Sequence, residues 1–150
     1  MASTIVSSTL TVTISEQINL NNQPIDSKNE LSIPDINEVA TRIMTVPTSS
    51  EVTIIGFSTS VAAGTFISGD VKYIRITNKD TVNYARIRIK KNGADTFDTR
   101  LDAGKFFVMG NTKESVSASA VAFSTFVDAD SINAQAYTAP VDIEIYVASV

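Results

Sequence analysis

The chain contains no cysteine, no histidine and no tryptophan among its 150 residues. Those absences remove thiol nucleophiles, disulfide staples, Cys/His zinc sites and imidazole general bases together, and with them most familiar catalytic centres. No cofactor or metal is expected. No apolar run approaches the roughly 20 residues that a membrane-spanning helix requires, so no membrane contact is expected. The first 20 residues lack a basic leader region, and Leu10, Val12 and Ile14 alternate with Thr11 and Thr13 instead of forming an unbroken apolar stretch. Synthesis in the cytosol is the expectation. Helical periodicity is also nearly missing.

What remains is a chain with 43% hydrophobic and 19% charged residues, a composition suited to a single packed domain over residues 1–150. Residues 1–8 are read as an extended N-terminal arm. The total charge is −4, with 12 basic and 16 acidic side chains. From Lys72 to Lys105, nine bases face four acids (Asp80, Asp95, Asp98 and Asp102), a net +5 that leaves −9 for the rest. Either the two regions neutralise each other within one fold, or the basic middle meets an acidic partner or a neighbouring copy.

Period-two alternation recurs, as expected of strands with one buried face. It appears in Leu10–Ile14, Val52–Phe57, Tyr73–Thr77, Tyr84–Lys90, Phe97–Leu101, Lys105–Met109 and Val141–Val147, and the Ala/Ser-rich segment 117–127 reads as another strand. Asn92-Gly93 is a hairpin turn, since both residues tolerate positive φ. Residues 34–46 fit either a helix capped at Ser32 with Pro34 in its first turn, or a strand ending at Pro47; the β-branched content favours the strand. Loops are expected near 23–29, 58–69, 110–115 and 128–136. The resulting fold class is all-β, a single-domain antiparallel β-sandwich.

Few motifs point to chemistry. Asp128 and Asp130 begin a stretch like a calcium loop, which lacks the turn glycine and the closing bidentate glutamate. Asp95, Asp98 and Asp102 flank one strand without a spacing that defines an acid/base pair. Arg75, Arg86, Arg88 and Lys90, with Tyr73 and Tyr84, resemble the basic and aromatic face of oligonucleotide-binding sheets; in an acidic chain they are the candidate partner-contact residues, with no specific nucleic acid expected. If their strands were neighbours, Asp142 and Glu144 would be available to balance them. The small side chains of 118–122 would permit close self-association, so a homo-oligomer is expected.

The stretch Val71–Asp80 (VKYIRITNKD), the strand Ala85–Lys90, Asn92-Gly93 and Arg100–Phe106 (RLDAGKF), with a looser likeness over Asn37–Pro47, resemble small structural proteins of tailed-bacteriophage virions. The resemblance covers roughly residues 71–110 and rests on turns and strand ends. It implies a jelly-roll-like sandwich, a place in the virion as a capsid decoration or tail-associated protein, and other virion proteins as partners. It carries over no catalytic or ligand residues. The rival from another class is a carbohydrate- or host-surface-binding module, for which Tyr73, Tyr84, Tyr137 and Tyr146 are the available aromatic platforms.

Overall fold

The computed structural model describes residues 4–91, 95–111, 113–114, 116 and 129–150. Eleven strands, and no helix, occur among the described residues: β1 (Ser8–Leu20), β2 (Gln23–Ile36), β3 (Glu38–Val46), β4 (Val52–Ser58), β5 (Thr65–Ile67), β6 (Val71–Asn78), β7 (Ala85–Lys91), β8 (Asp95–Leu101), β9 (Phe106–Met109), β10 (Ser131–Ala136) and β11 (Val141–Ser149). Nine of them form a sandwich. One sheet runs β5-β4-β10-β7-β8 and the other β3-β11-β6-β9, and every pairing is antiparallel except the short parallel contact of β5 with β4.

The core lies where the inward residues of the two sheets meet. Ile54, Ile55, Ile87, Ile89 and Ile132 come from the first sheet, and Val46, Ile74, Ile76, Ile143, Ile145 and Val147 from the second. Branched side chains at every second position fill the space between the sheets, as expected for two half-buried sheets packed face to face. The two sheets are also tied together by a polar residue. Asn78, at the end of β6, is 1% exposed. Its amide donates to the carbonyls of Asn83 and Leu101, at 2.9 and 3.0 Å, and its carbonyl oxygen accepts from the Asp80 N–H at 2.9 Å. Asp80 in turn accepts from the N–H groups of Val82 and Asn83, and these bonds hold its carboxyl below the ordinary carboxylate value. The ITNKD turn is thus an Asx-type device that carries the chain from one sheet to the other.

The remaining pair, β1 and β2, forms a separate two-stranded ribbon. Asn21 and Asn22, with φ of 53° and 62°, make the two-residue turn that closes it between Leu20 and Gln23; both central residues need positive φ in this turn, which asparagine tolerates. At the base, the register shifts between Ser8 and Leu10, where β2 carries an extra residue. Pro34 and Asp35, the latter at φ 63°, occupy that bulge, which bends the ribbon away from the line of β3.

Several expectations need correction. The loop placed at 23–29 lies within β2, and the one at 128–136 contains β10. The loop at 58–69 contains β5. Residues 34–46 are strand, as their β-branched content favours, but Ile36 ends β2 and a new strand begins at Glu38. The Asn92-Gly93 turn, the Ala/Ser-rich segment at 117–127 and Asp128 of the incomplete calcium loop lie outside the described residues. β7 and β8, on either side of the Asn92-Gly93 turn, do pair antiparallel.

Candidate interaction surface

The six residues singled out as a partner-contact face do not form one face. Arg75 and Tyr73 belong to β6 and Arg86, Arg88 and Lys90 to β7, and these strands sit in different sheets. Tyr84 precedes β7.

Arg86, Arg88 and Lys90 point outward from the first sheet and converge on one carboxylate, Glu51, just ahead of β4. Glu51 Oε2 accepts from Arg86 at 2.7 Å and from Arg88 at 3.2 Å, and Oε1 pairs with Lys90 and accepts from the Asn133 amide at 2.9 Å. Burial alone would raise the pKa of Glu51; the hydrogen bonds of Lys90 and Asn133, with the charges of Lys90 and Arg88, outweigh it and hold the group below its ordinary value. On the other side Arg88 binds Asp98 of β8 in a two-point fork, at 2.6 and 2.5 Å. That fork, ahead of a burial penalty, lowers the Asp98 pKa. Two acids therefore close most of the basic row within the fold. Arg75 is served by Glu144 at 2.7 Å, as its sequence position allowed, and also lies over the Tyr146 ring. Asp142 accepts instead from the Thr45 hydroxyl.

Of the four tyrosines, Tyr73 is 5% exposed and lies under the ribbon, so it offers no platform. Tyr84 stacks on Tyr137, ring centres 5.3 Å apart, and the Arg100 guanidinium lies 3.9 Å from the Tyr84 ring centre. Asp98 and Arg86 line the shallow depression beside this stack. Asp102, one of the three acids flanking β8, accepts from Arg100 at 2.6 Å. Asp98 and Asp102 are thus engaged with arginines. No cluster of metal-ligating side chains occurs among the described residues.

The surface that sequence reasoning missed is the ribbon. Its register puts Leu10, Val12, Ile14, Ile18 and Leu20 of β1 on one face with Ile25, Leu31 and Ile33 of β2, while Thr11, Thr13, Ser15, Gln17 and Asn19 share the other face with Pro24, Asp26, Lys28, Glu30 and Ser32. The base of the apolar face is covered: Leu10, Val12 and Ile33 pack with Ile36 on Tyr73, Val108, Tyr146 and Ala148, the outer side of the second sheet. Leu31 reaches the sheet edge, where its Cδ2 would lie 3.1 Å from a Cβ placed on Gly110, so a side chain there would require Leu31 to give by a few tenths of an ångström. Beyond Leu31 the ribbon overhangs. Eight residue pairs, from Thr13↔Glu30 to Leu20↔Gln23, extend about 25 Å at about 3.3 Å per residue. Ile14, Ile18, Leu20 and Ile25 on this overhang are exposed. The signal was present in the alternation of Leu10, Val12 and Ile14, but nothing in it told that the apolar side would outrun its own core.

No helix among the described residues is long and apolar enough to cross a membrane. No family model matches the chain, and neither a curated protein nor a solved structure matches it at a significant level.

Proposed function

We propose that the chain is a non-enzymatic structural protein of a tailed-phage virion, a capsid decoration or cement protein that is made in the host cytoplasm and acts through protein–protein contacts. The observation that supports this reading best is the ribbon: an amphipathic two-stranded projection with Ile14, Ile18, Leu20 and Ile25 exposed along one side. An isolated two-stranded ribbon is marginal in water, and a contiguous exposed apolar patch on a soluble protein marks an interaction surface. A projecting arm of this kind suits a subunit that clasps a neighbour in a shell. The sandwich beneath it supplies packing and edges, and the basic row closed by Glu51 and Asp98 has little charge left for nucleic acid. The jelly-roll-like character and the virion setting come from the resemblance over residues 71–110.

Mass spectrometry and electron microscopy of purified particles of the phage that encodes it test this reading. The chain is expected at symmetric capsid or tail positions in stoichiometric amount; its absence from intact particles would overturn the proposal.

A second reading, a carbohydrate- or host-surface-binding module, draws on the Tyr137–Tyr84–Arg100 stack with Asp98 and Arg86 beside it. Aromatic faces flanked by charged hydrogen-bonding groups are what sugar rings dock on. Glycan-array binding that Tyr137→Ala abolishes would favour it.

A further inference from the structure

We infer that the overhanging part of the ribbon docks on the outer face of the β3-β11-β6-β9 sheet of a second copy of this chain. The inference rests on reading the chain as an assembly protein, and it names the partner of that surface. Three features point to a second copy. First, the docking mode already exists within one molecule: the base of the same face lies on Tyr73, Val108, Tyr146 and Ala148 of that sheet, and past Leu31 the overhang carries this face on with Ile14, Ile18, Ile25 and Leu20, interrupted by the Glu16↔Ser27 pair.

Second, the sheet has room beside the ribbon base. Ile43, Glu144, Thr77 and Phe106 are successive cross-strand partners and form one outward row across the four strands. Ile43 is 60% and Phe106 65% exposed. This row adjoins the one formed by Thr41, Tyr146, Arg75 and Val108, part of which the molecule's own ribbon covers. Four strands about 4.8 Å apart span about 14 Å, so an overhang of about 25 Å covers the whole row.

Third, the charge on the docking face agrees: Glu16 is the one charged residue on that face of the overhang, and Lys79 and Lys105 stand exposed at the Phe106 end of the sheet. The opposite geometry, apolar face on apolar face at a two-fold axis, would bring the two copies' Glu16 side chains together, since Glu16 lies on the apolar face between Ile14 and Ile18. A ribbon landing on a neighbour's sheet can be returned across a two-fold axis, giving a closed dimer, or passed on head to tail, giving a ring or a chain of copies.

The absence of cysteine makes the test clean. Ile18→Cys and Phe106→Cys are made separately, both at exposed positions, and checked for native circular dichroism. The two are mixed and mildly oxidised. The mixed sample is expected to form a disulfide-linked dimer containing one chain of each variant, at least tenfold faster than either variant alone forms its own dimer. In sedimentation, Ile18→Asp and Phe106→Glu should each weaken self-association at least tenfold, while Phe97→Glu, at an exposed apolar residue of β8, should not. Dimers of Ile18→Cys alone forming as fast as the mixed ones would overturn the inference in favour of tip-to-tip pairing. A wild-type monomer at high concentration would also overturn it; if that monomer is found on particles, the assembly reading survives, and if it is absent from them, both fall.

Discussion

Glu51 Oε2 lies 2.7 Å from an Arg86 guanidinium nitrogen although the two residues are 35 apart in sequence, and the same carboxylate also engages Arg88 and Lys90. With its side chain only 16% exposed, Glu51 is the keystone of a charge cluster that would otherwise set three cations side by side.

Glu51→Gln should therefore cost more than removing any one of its cations. Exposed pairs contribute about 0 to 1 kcal/mol and breaking a buried pair costs about 3 to 5, so this half-sheltered centre should lose about 2 kcal/mol. Arg86→Ala, which leaves Glu51 with two cations, should lose about 1 kcal/mol. Urea midpoints of the two variants check the order; a smaller loss for Glu51→Gln would mean that the cluster is not centred on it.

Acid should weaken the protein through the same groups. Glu51 and Asp98 are both held below their ordinary pKa in the folded state. Their contribution is complete above the unfolded values, about 4.3 and 3.9, and is lost as pH falls through the lower folded values. Glu114 acts the other way, since burial raises its pKa: its penalty is present at neutral pH and is relieved below its unfolded value. Melting temperatures followed from pH 6 to pH 2 should fall below about pH 4, and Glu51→Gln should flatten that fall. An unchanged slope in the variant would contradict the assignment.

Asn78 offers a sharper test of sheet-to-sheet coupling. Asn78→Asp replaces an amide that donates to two carbonyls with a carboxylate that only accepts, and should cost about 3 kcal/mol at neutral pH. The deficit relative to wild type at the same pH should shrink in acid, where a protonated Asp can donate once. Asn78→Ala should cost about 2 kcal/mol with no such recovery. Urea unfolding of both variants at neutral and acid pH checks this, and a deficit of Asn78→Asp that does not change with pH would contradict it.

The ribbon turn can be tuned apart from the core. Asn22→Gly keeps the positive φ and should leave the ribbon as stable or slightly more so, whereas Asn22→Val should weaken it by about 1 kcal/mol. Hydrogen exchange separates the cases: amides of β1 and β2 in the overhang should exchange faster in Asn22→Val, while those of Ile74 and Ile87 should stay unchanged. Equal acceleration at Ile74 would mean that ribbon and sandwich unfold together.

Strands were legible where bulky and polar residues alternate, as in Ile74 and Ile76 of β6, Ile87 and Ile89 of β7, and Ile143, Ile145 and Val147 of β11. β10 escaped notice because its inward residues after Ile132 are Ala134 and Ala136, too small to mark a face, though both are fully buried. β2 escaped because Pro24, Ser27 and Asn29 interrupt its pattern and because much of it covers no core. The basic row was visible, but its neutralisation by Glu51 was not. That contact depends on β10 lying between β4 and β7, an arrangement that nearest-neighbour reading of the chain does not contain. The two candidate strands for that face, β6 and β7, are consecutive in sequence yet belong to opposite sheets.

The place of β11 bears on how the molecule comes to be folded. It lies between β3 and β6, so until residues 141–149 leave the ribosome β3 has no partner in its sheet and β6 has only β9. The other sheet waits similarly for β10. Non-local pairings of this kind are slow and come late, whereas a hairpin with a two-residue turn closes within microseconds. During synthesis the ribbon can therefore close while the sheet that receives its base still lacks β11, but, being marginal on its own, it is held only once that strand completes the sheet and gives Leu10, Val12 and Ile33 a surface to rest on.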